Sequence, residues 1–153
     1  MQEKGPKQEC LNLMETAEVV YLSTNSSDGF PHTRMMSNLR NKKQNPGLVK
    51  IFERHKKDFL IYLVTSSSSA KMQQIRANPK VSVYLCNPGE FHGLMLGGEI
   101  EEVTDQDLKK QLWQDGWEAF WPSGADGPEY TVLRLLPSFA NGWYKEGPFE
   151  FKL

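Results

Sequence analysis

Charge of one sign, cysteine and long apolar runs are all scarce in this chain, and each scarcity removes a class of function. Eighteen Lys and Arg stand against 19 Asp and Glu, a net charge of −1 over 153 residues. Binding DNA or an anionic membrane by charge needs a basic excess, so neither nucleic acid nor membrane is an expected partner. The cysteines are Cys10 and Cys86. With no CxxC pair and no Cys/His ligand spacing, neither a disulfide framework nor a metal site is expected, and Cys86 reads as a core residue of a strand. No apolar run approaches the roughly 18 residues that cross a bilayer. The opening Met-Gln-Glu-Lys-Gly-Pro-Lys-Gln-Glu lacks the apolar segment of a signal peptide, so the expected setting is the cytoplasm. GxGxxG, GxxxxGK[ST], GxSxG and HExxH are also missing, which removes the common nucleotide, hydrolase and zinc-protease signatures.

What is present describes an ordinary globular protein: 39% hydrophobic and 11% aromatic residues, at a length that suits a single domain over residues 1–153. Cys10, Leu11 and Met14 recur at helical spacing within residues 7–17, predicting a short amphipathic helix. Residues 19–24 read as a strand, and Asn25-Ser26-Ser27-Asp28-Gly29 as a turn. An extended pattern resumes over residues 30–36, so the first two strands form a hairpin. Residues 42–47 read as a loop and 48–55 as a turn of helix with a solvated basic face. Strands follow at 59–65, 81–86 and 93–103, the last interrupted by Gly97-Gly98, a sign of a sharp bend that lets a sheet curl. Asp105 is placed to cap a helix over 106–120, an irregular loop covers 121–128, and strands over 130–137 and 140–145 precede a short tail. The pattern predicts a mainly β (α+β) fold, an antiparallel barrel of about six strands with peripheral helices.

The stretch 65–79, Thr-Ser-Ser-Ser-Ser-Ala-Lys-Met-Gln-Gln-Ile-Arg-Ala-Asn-Pro, reads strand end, polar turn, short helix. A turn entering a helix presents unpaired N–H groups and the positive end of the helix dipole, and here hydroxyls and one ammonium stand beside them. Such a site suits a phosphate. Taken alone, the stretch is also accounted for by Ser69 capping a helix with Lys71 in solvent.

Pro31-His32-Thr33-Arg34-Met35-Met36, then Leu-Val-Thr-Ser-x-x-Ser-x-Lys, then Asn78-Pro79-Lys80-Val81-Ser82-Val83 form an ordered set across the chain. In that order they resemble the FMN-binding split β-barrels of the pyridoxamine 5'-phosphate oxidase superfamily, most closely their general-stress-protein branch. Pro137, six residues before Trp143, is a further match. The resemblance implies a homodimeric flavoprotein with FMN at the dimer interface. It puts Arg34 at the phosphate and ribityl side, backbone groups of Met35 and Met36 on the isoalloxazine, Thr65 and Ser66 at the ring's polar edge, and Ser69 and Lys71 in the phosphate clamp. It implies an oxidoreductase taking electrons from reduced nicotinamide or a small organic donor. The alternatives are a non-catalytic flavin-binding stress protein, or a barrel holding a deazaflavin or haem. No catalytic residue is assigned. Trp113, Trp117 or Trp143 either reach the flavin from the partner chain or fill the core.

The resemblance stops at the C-terminus. The oxidases end with an arginine and a histidine that hold the substrate, whereas this chain ends Gly147-Pro148-Phe149-Glu150-Phe151-Lys152-Leu153, and a flavin-side glutamine falls near Gly93. Oxidation of pyridoxamine phosphate is therefore not expected. His55 falls in a charged loop, His32 and His92 show no carboxylate partner in the sequence pattern, and all three read as surface residues.

Overall fold

The computed structural model describes residues 4–145 and 147–153. The chain begins with helix α1 (Lys4–Thr16), which turns Cys10, Leu11, Leu13 and Met14 inward. No glycine ends this helix. Two asparagines from the loop after the first hairpin take over, Asn38 Nδ2 donating to the Met14 and Ala17 carbonyls and Asn41 Nδ2 to those of Thr16 and Ala17. They satisfy carbonyls that a helix C-terminus otherwise leaves unpaired.

Strand β1 (Val19–Asn25) alternates strictly, with Val20, Leu22 and Thr24 buried, and β2 (Pro31–Ser37) returns beside it through the turn at Gly29, whose φ is +84°. After a 3-10 turn and the short helix α2 (Val49–Glu53) comes β3 (Ile61–Ser66). Lys50, Arg54, Lys56 and Lys57 around α2 are exposed, as their charge predicts. Helix α3 (Ala70–Ala77) is followed by β4 (Lys80–Asn87) and the long β5 (His92–Glu102). Then come α4 (Gln106–Leu112), a 3-10 turn at Trp117–Ala119, and strands β6 (Tyr130–Leu135), β7 (Phe139–Tyr144) and β8 (Gly147–Lys152).

All pairings are antiparallel, in the order β2-β1-β4-β5-β6-β3, with β7 on β5 and β8 on β7. Strand β5 makes the sheet curl. Gly93 to Gly97 pair with β7, whereas Ile100 to Glu102 pair with β6. The change of partner falls at Gly97-Gly98, where backbone and rings crowd in: a Cβ on Gly97 would enter the Phe139 ring, and one on Gly98 would lie 3.1 Å from the Pro137 Cα. The predicted bend is thus where the strand changes neighbours. The result is a curled half-barrel with its helices outside.

Strands β3 and β6 are buried on both faces because they separate two cores. Ile61, Leu63, Leu133 and Leu135 face the barrel interior, while Leu60, Tyr62, Tyr130 and Val132 face a second cluster with Phe52, Leu112 and Trp121. Strands buried on both sides read as continuous apolar runs rather than alternating ones.

Four expectations need correction. The helix after Asp105 ends at Leu112 rather than Phe120: Asp105 does cap it, accepting from the N–H of Asp107 and Leu108, but Trp113 is already extended and Gly116 takes a φ of +95°. Packing of the aromatic side chains into the second core overrides the helical spacing. Among the described residues the sheet has eight strands where about six were expected, the tail supplying the last by pairing with β7 while Phe149 and Phe151 pack on the main core. Cys86 is not in the core: Val81, Val83 and Leu85 point inward, so Cys86 shares the outer face with Ser82 and Tyr84. The fourth concerns histidine. His92 is 4% exposed beside Cys10, His32 Nε2 lies 2.9 Å from Asp28 and His55 Nδ1 3.0 Å from Asp58. No helix among the described residues is long and apolar enough to cross a membrane.

Candidate functional site

Strands β2 and β3 are the two ends of the hydrogen-bonded path and share no ladder, so the barrel is open along a seam between them. Among the described residues β2 pairs only with β1, which leaves backbone N–H and C=O groups on its other edge toward the seam. Strand β3 ends at Thr65 and Ser66, and the serine turn then delivers the N-terminus of α3. Glu129 fixes that turn, accepting from Ser67 Oγ at 3.1 Å and Ser68 Oγ at 2.9 Å.

Ser69 occupies the N-cap position of α3, yet its hydroxyl makes no capping bond. It lies 3.5 Å from Thr65 Oγ1 instead, and Lys71 Nζ donates to that same Thr65 oxygen at 2.9 Å. A plain helix start is therefore an incomplete account of this stretch. Its serine does not cap, its lysine is half-buried, and the first N–H groups of the helix have no side-chain acceptor.

Arg34, on the inward side of β2, joins the same region. Its Nη1 donates to Thr24 Oγ1 at 2.8 Å and to the carbonyls of His32 and Leu22, and its Nη2 to Gln74 Oε1 at 3.1 Å. The arginine thus ties β2 to β1 and to α3. Burial lowers the Arg34 pKa, and burial followed by the positive charge of Arg34 lowers that of Lys71. Among the described residues neither cation has a carboxylate in ion-pair range. Two like charges sharing a half-buried place without a counter-charge raise each other's free energy, and an anion beside them would reverse the sign.

A groove of about 320 Å³ runs along the seam, lined by Met35, Met36, Val64, Thr65, Ser66 and Lys71 and walled by Trp117, Phe120 and Trp121. Met36 is buried and Met35 is 65% exposed. Ser66 Oγ accepts from Trp121 Nε1 at 2.9 Å, so that hydroxyl anchors the wall. No histidine, cysteine or carboxylate is found among the lining residues described.

The structure therefore brings Met35, Met36, Thr65, Ser66 and Lys71 to one groove, with Ser69 and Arg34 hydrogen-bonded or electrostatically coupled to its Lys71 end. Trp117 lines the groove from the same chain, whereas Trp113 packs in the second core, 5.0 Å from the Tyr130 ring. Trp143 stands on β7, well removed from β2 in the strand order, beside Tyr84 and Phe91 in an outer hollow. Sequence reasoning missed Gln74 and Thr24, the partners of Arg34, and the wall residues Phe120 and Trp121. Gln74 follows Lys71 by about one helical turn, which is the signal that was there to read.

The model of the pyridoxamine 5'-phosphate oxidase family matches residues 6–144. The chain belongs to that family. Within it, the general stress protein 26 of Bacillus subtilis (strain 168) is 26% identical over 140 residues, covering 90% of this chain and 87% of that one. A protein related to general stress protein 26 from Clostridium acetobutylicum superposes with a TM-score of 0.73 at 27% identity, over 96% of this chain and 94% of that one. A heme binding protein from Mycobacterium smegmatis superposes with a TM-score of 0.67 at 12% identity, over 97% of this chain and 58% of that one; at that identity the likeness is one of fold. The seam between β2 and β3 is thus the split of a split barrel from the pyridoxamine 5'-phosphate oxidase family.

Proposed function

We propose that this protein binds FMN in the seam as a homodimeric flavoprotein and acts as an oxidoreductase. The observation that carries the reading is the pair Arg34 and Lys71: half-buried, mutually repelling, without a carboxylate partner among the described residues, and beside an uncapped helix N-terminus. A phosphate dianion satisfies all three groups at once, through the remaining ammonium and guanidinium N–H groups and the free amides of α3. The open backbone edge of β2 at Met35 and Met36, and the groups at Thr65 and Ser66, suit the carbonyls and ring nitrogens of an isoalloxazine. When bound, the flavin supplies the redox chemistry, accepting electrons from reduced nicotinamide or a small organic donor. The chain's own part is to hold, orient and shield the ring. A groove lining without His, Cys or carboxylate fits that division of labour.

The outer face of the sheet supports the dimer. Tyr21, Tyr84, Phe91, Met35, Phe139 and Trp143 are all at least 36% exposed on or beside it, and a partner copy there would cover them. Equilibrium dialysis against FMN tests the binding directly: one flavin per chain supports the proposal, and no saturable binding contradicts it. Light scattering should return about twice the 17.5 kDa chain mass, and a monomer that still holds FMN would contradict the interface.

A further inference from the structure

Arg34 is held by a closed triangle of hydrogen bonds. Its Nη2 donates to Gln74 Oε1 at 3.1 Å and its Nη1 to Thr24 Oγ1 at 2.8 Å, while Thr24 Oγ1 gives its own hydrogen to the same Gln74 oxygen at 2.5 Å. Thr24 is buried and a hydroxyl has one hydrogen to give, so each member of the triangle orients the other two. Gln74 follows Lys71 by three residues on one side of α3, so a single helix presents both the ammonium and the acceptor that aims the guanidinium. The triangle is not what docks this helix. Met72 and Ile75, at 0% and 4% exposure, already pack α3 onto the main core.

The charge of the acceptor matters more than its shape. A carboxylate at position 74 would accept the same two hydrogen bonds and add an ion pair to Arg34, a stronger arrangement. Among the described residues no hydrogen bond uses the Gln74 amide nitrogen, so for the fold alone the amide has no advantage over a carboxylate. Its effect is to leave Arg34 fully charged beside Lys71, whose pKa is lowered by burial and then by that charge. A guanidinium carries five N–H groups, and among the described residues the Nε hydrogen and the second Nη2 hydrogen of Arg34 have no acceptor. We propose that Gln74 is a positioning and selectivity residue of the seam: its neutral oxygen aims Arg34 without neutralising it, and so reserves the Arg34 and Lys71 pair for a phosphate-bearing ligand. The identity of that ligand rests on the flavin reading. The role of Gln74 adds to it the group that keeps the phosphate seat uncompensated.

The test compares Gln74→Glu, which keeps both bonds and changes only the charge, with Gln74→Met, which keeps the length and removes the acceptor. At pH 7.5 and without ligand, Gln74→Glu should raise the thermal midpoint by about 2–4 °C, the scale of one favourable ion pair in a chain of this size. Yet it should weaken FMN by about 10-fold or more, because the new carboxylate supplies the counter-charge that the phosphate would have brought. Gln74→Met should weaken FMN by about 3- to 10-fold, the worth of a hydrogen bond that orients Arg34. Riboflavin affinity should change by less than about twofold in both variants. A merely structural glutamine predicts the reverse for Gln74→Glu, with both bonds kept and FMN affinity unchanged. FMN affinity equal to the parent's in either variant, or a riboflavin loss as large as the FMN loss, overturns the proposal. Inorganic phosphate separates this proposal from the flavin reading. If the parent fails to bind FMN, the flavin reading is wrong, and the rise in thermal midpoint with phosphate then decides: larger in the parent than in Gln74→Glu, the role of Gln74 stands; equal in both, it falls. Comparing the two proteins removes the general stabilising effect of the salt.

Discussion

Arg34 lies on β2 and Arg40 in the turn that follows it, yet their surroundings are opposite in kind. Arg40 is 3% exposed; its Nη1 donates to the carbonyls of Asp58 and Leu60, both at 2.9 Å, and its Nη2 to that of His55 at 3.0 Å. Its guanidinium lies 5.6 Å from the Phe52 ring, and the Asp58 carboxylate stands at 3.9 Å. Burial lowers its pKa, and the negative charges of Asp58 and Glu15 oppose that shift. Arg34 is half-buried, holds neutral acceptors, and has Lys71 rather than a carboxylate as its charged neighbour. A cation kept for the fold is surrounded by acceptors and negative charge. One kept for a ligand is left with spare donors and an unbalanced field.

Breaking the structural arginine should cost most. Arg40→Ala orphans three carbonyls that close the loop around α2, that of Leu60 buried and those of Asp58 and His55 part-buried, and empties a buried site, so we expect a loss of about 3–5 kcal/mol in unfolding free energy. Urea denaturation measures it, and a loss under about 1 kcal/mol would mean that the two arginines do not differ as described. Arg34→Ala should cost less in stability, about 1–2 kcal/mol, because its partners are part-solvated. Its larger effect should appear in FMN affinity. Should the two substitutions destabilise equally while FMN affinity stays intact, Arg34 is a second structural arginine.

His92 adds a third, smaller test: a buried titratable group that serves packing alone. It contacts Cys10 and the rings of Tyr144 and Phe149. Burial lowers its pKa from 6.5, against the opposing charges of Glu9 and Glu90, and burial also pushes the Cys10 thiol up to about 12. The unfolded chain therefore takes up a proton at higher pH than the folded one, so this contribution is complete above the ordinary histidine range and is lost as pH falls below it. Urea midpoints at pH 7.5 and 5.5 should show a modest acid loss that His92→Leu reduces. An unchanged pH dependence in that variant would exclude His92 as its source.

Much of the frame was legible because short-range signals agreed. The alternation of β1, the Asn-Ser-Ser-Asp-Gly turn, the serine-rich entry to α3 and the Gly97-Gly98 bend each carry their geometry locally. Elements that depend on distant partners were not legible. Strand β8 is held by β7 alone and begins Gly-Pro, so its Phe149 and Phe151 alternation was the sole sign of it. The early end of α4 reflects tryptophans drawn to Tyr130, a contact that the spacing of Trp113 and Trp117 does not encode. Of the site, the residues on β2, β3 and α3 were readable from motif order. The aromatic wall was not, since the chain reaches it through an irregular segment whose path tertiary packing sets.

The uncompensated pair at the seam is the centre of this account, and Lys71 tests it most cleanly because the fold does not depend on its charge. Riboflavin has the ring of FMN without the phosphate. Fluorescence titrations of both flavins against the parent and Lys71→Ala, with circular dichroism to verify folding, isolate the phosphate's share. We predict that the parent prefers FMN to riboflavin, that Lys71→Ala weakens FMN by roughly 10- to 150-fold, the scale of a charge-assisted hydrogen bond, and that riboflavin affinity barely changes. Equal affinity of the parent for the two flavins, or an FMN affinity indifferent to Lys71→Ala, would contradict the account.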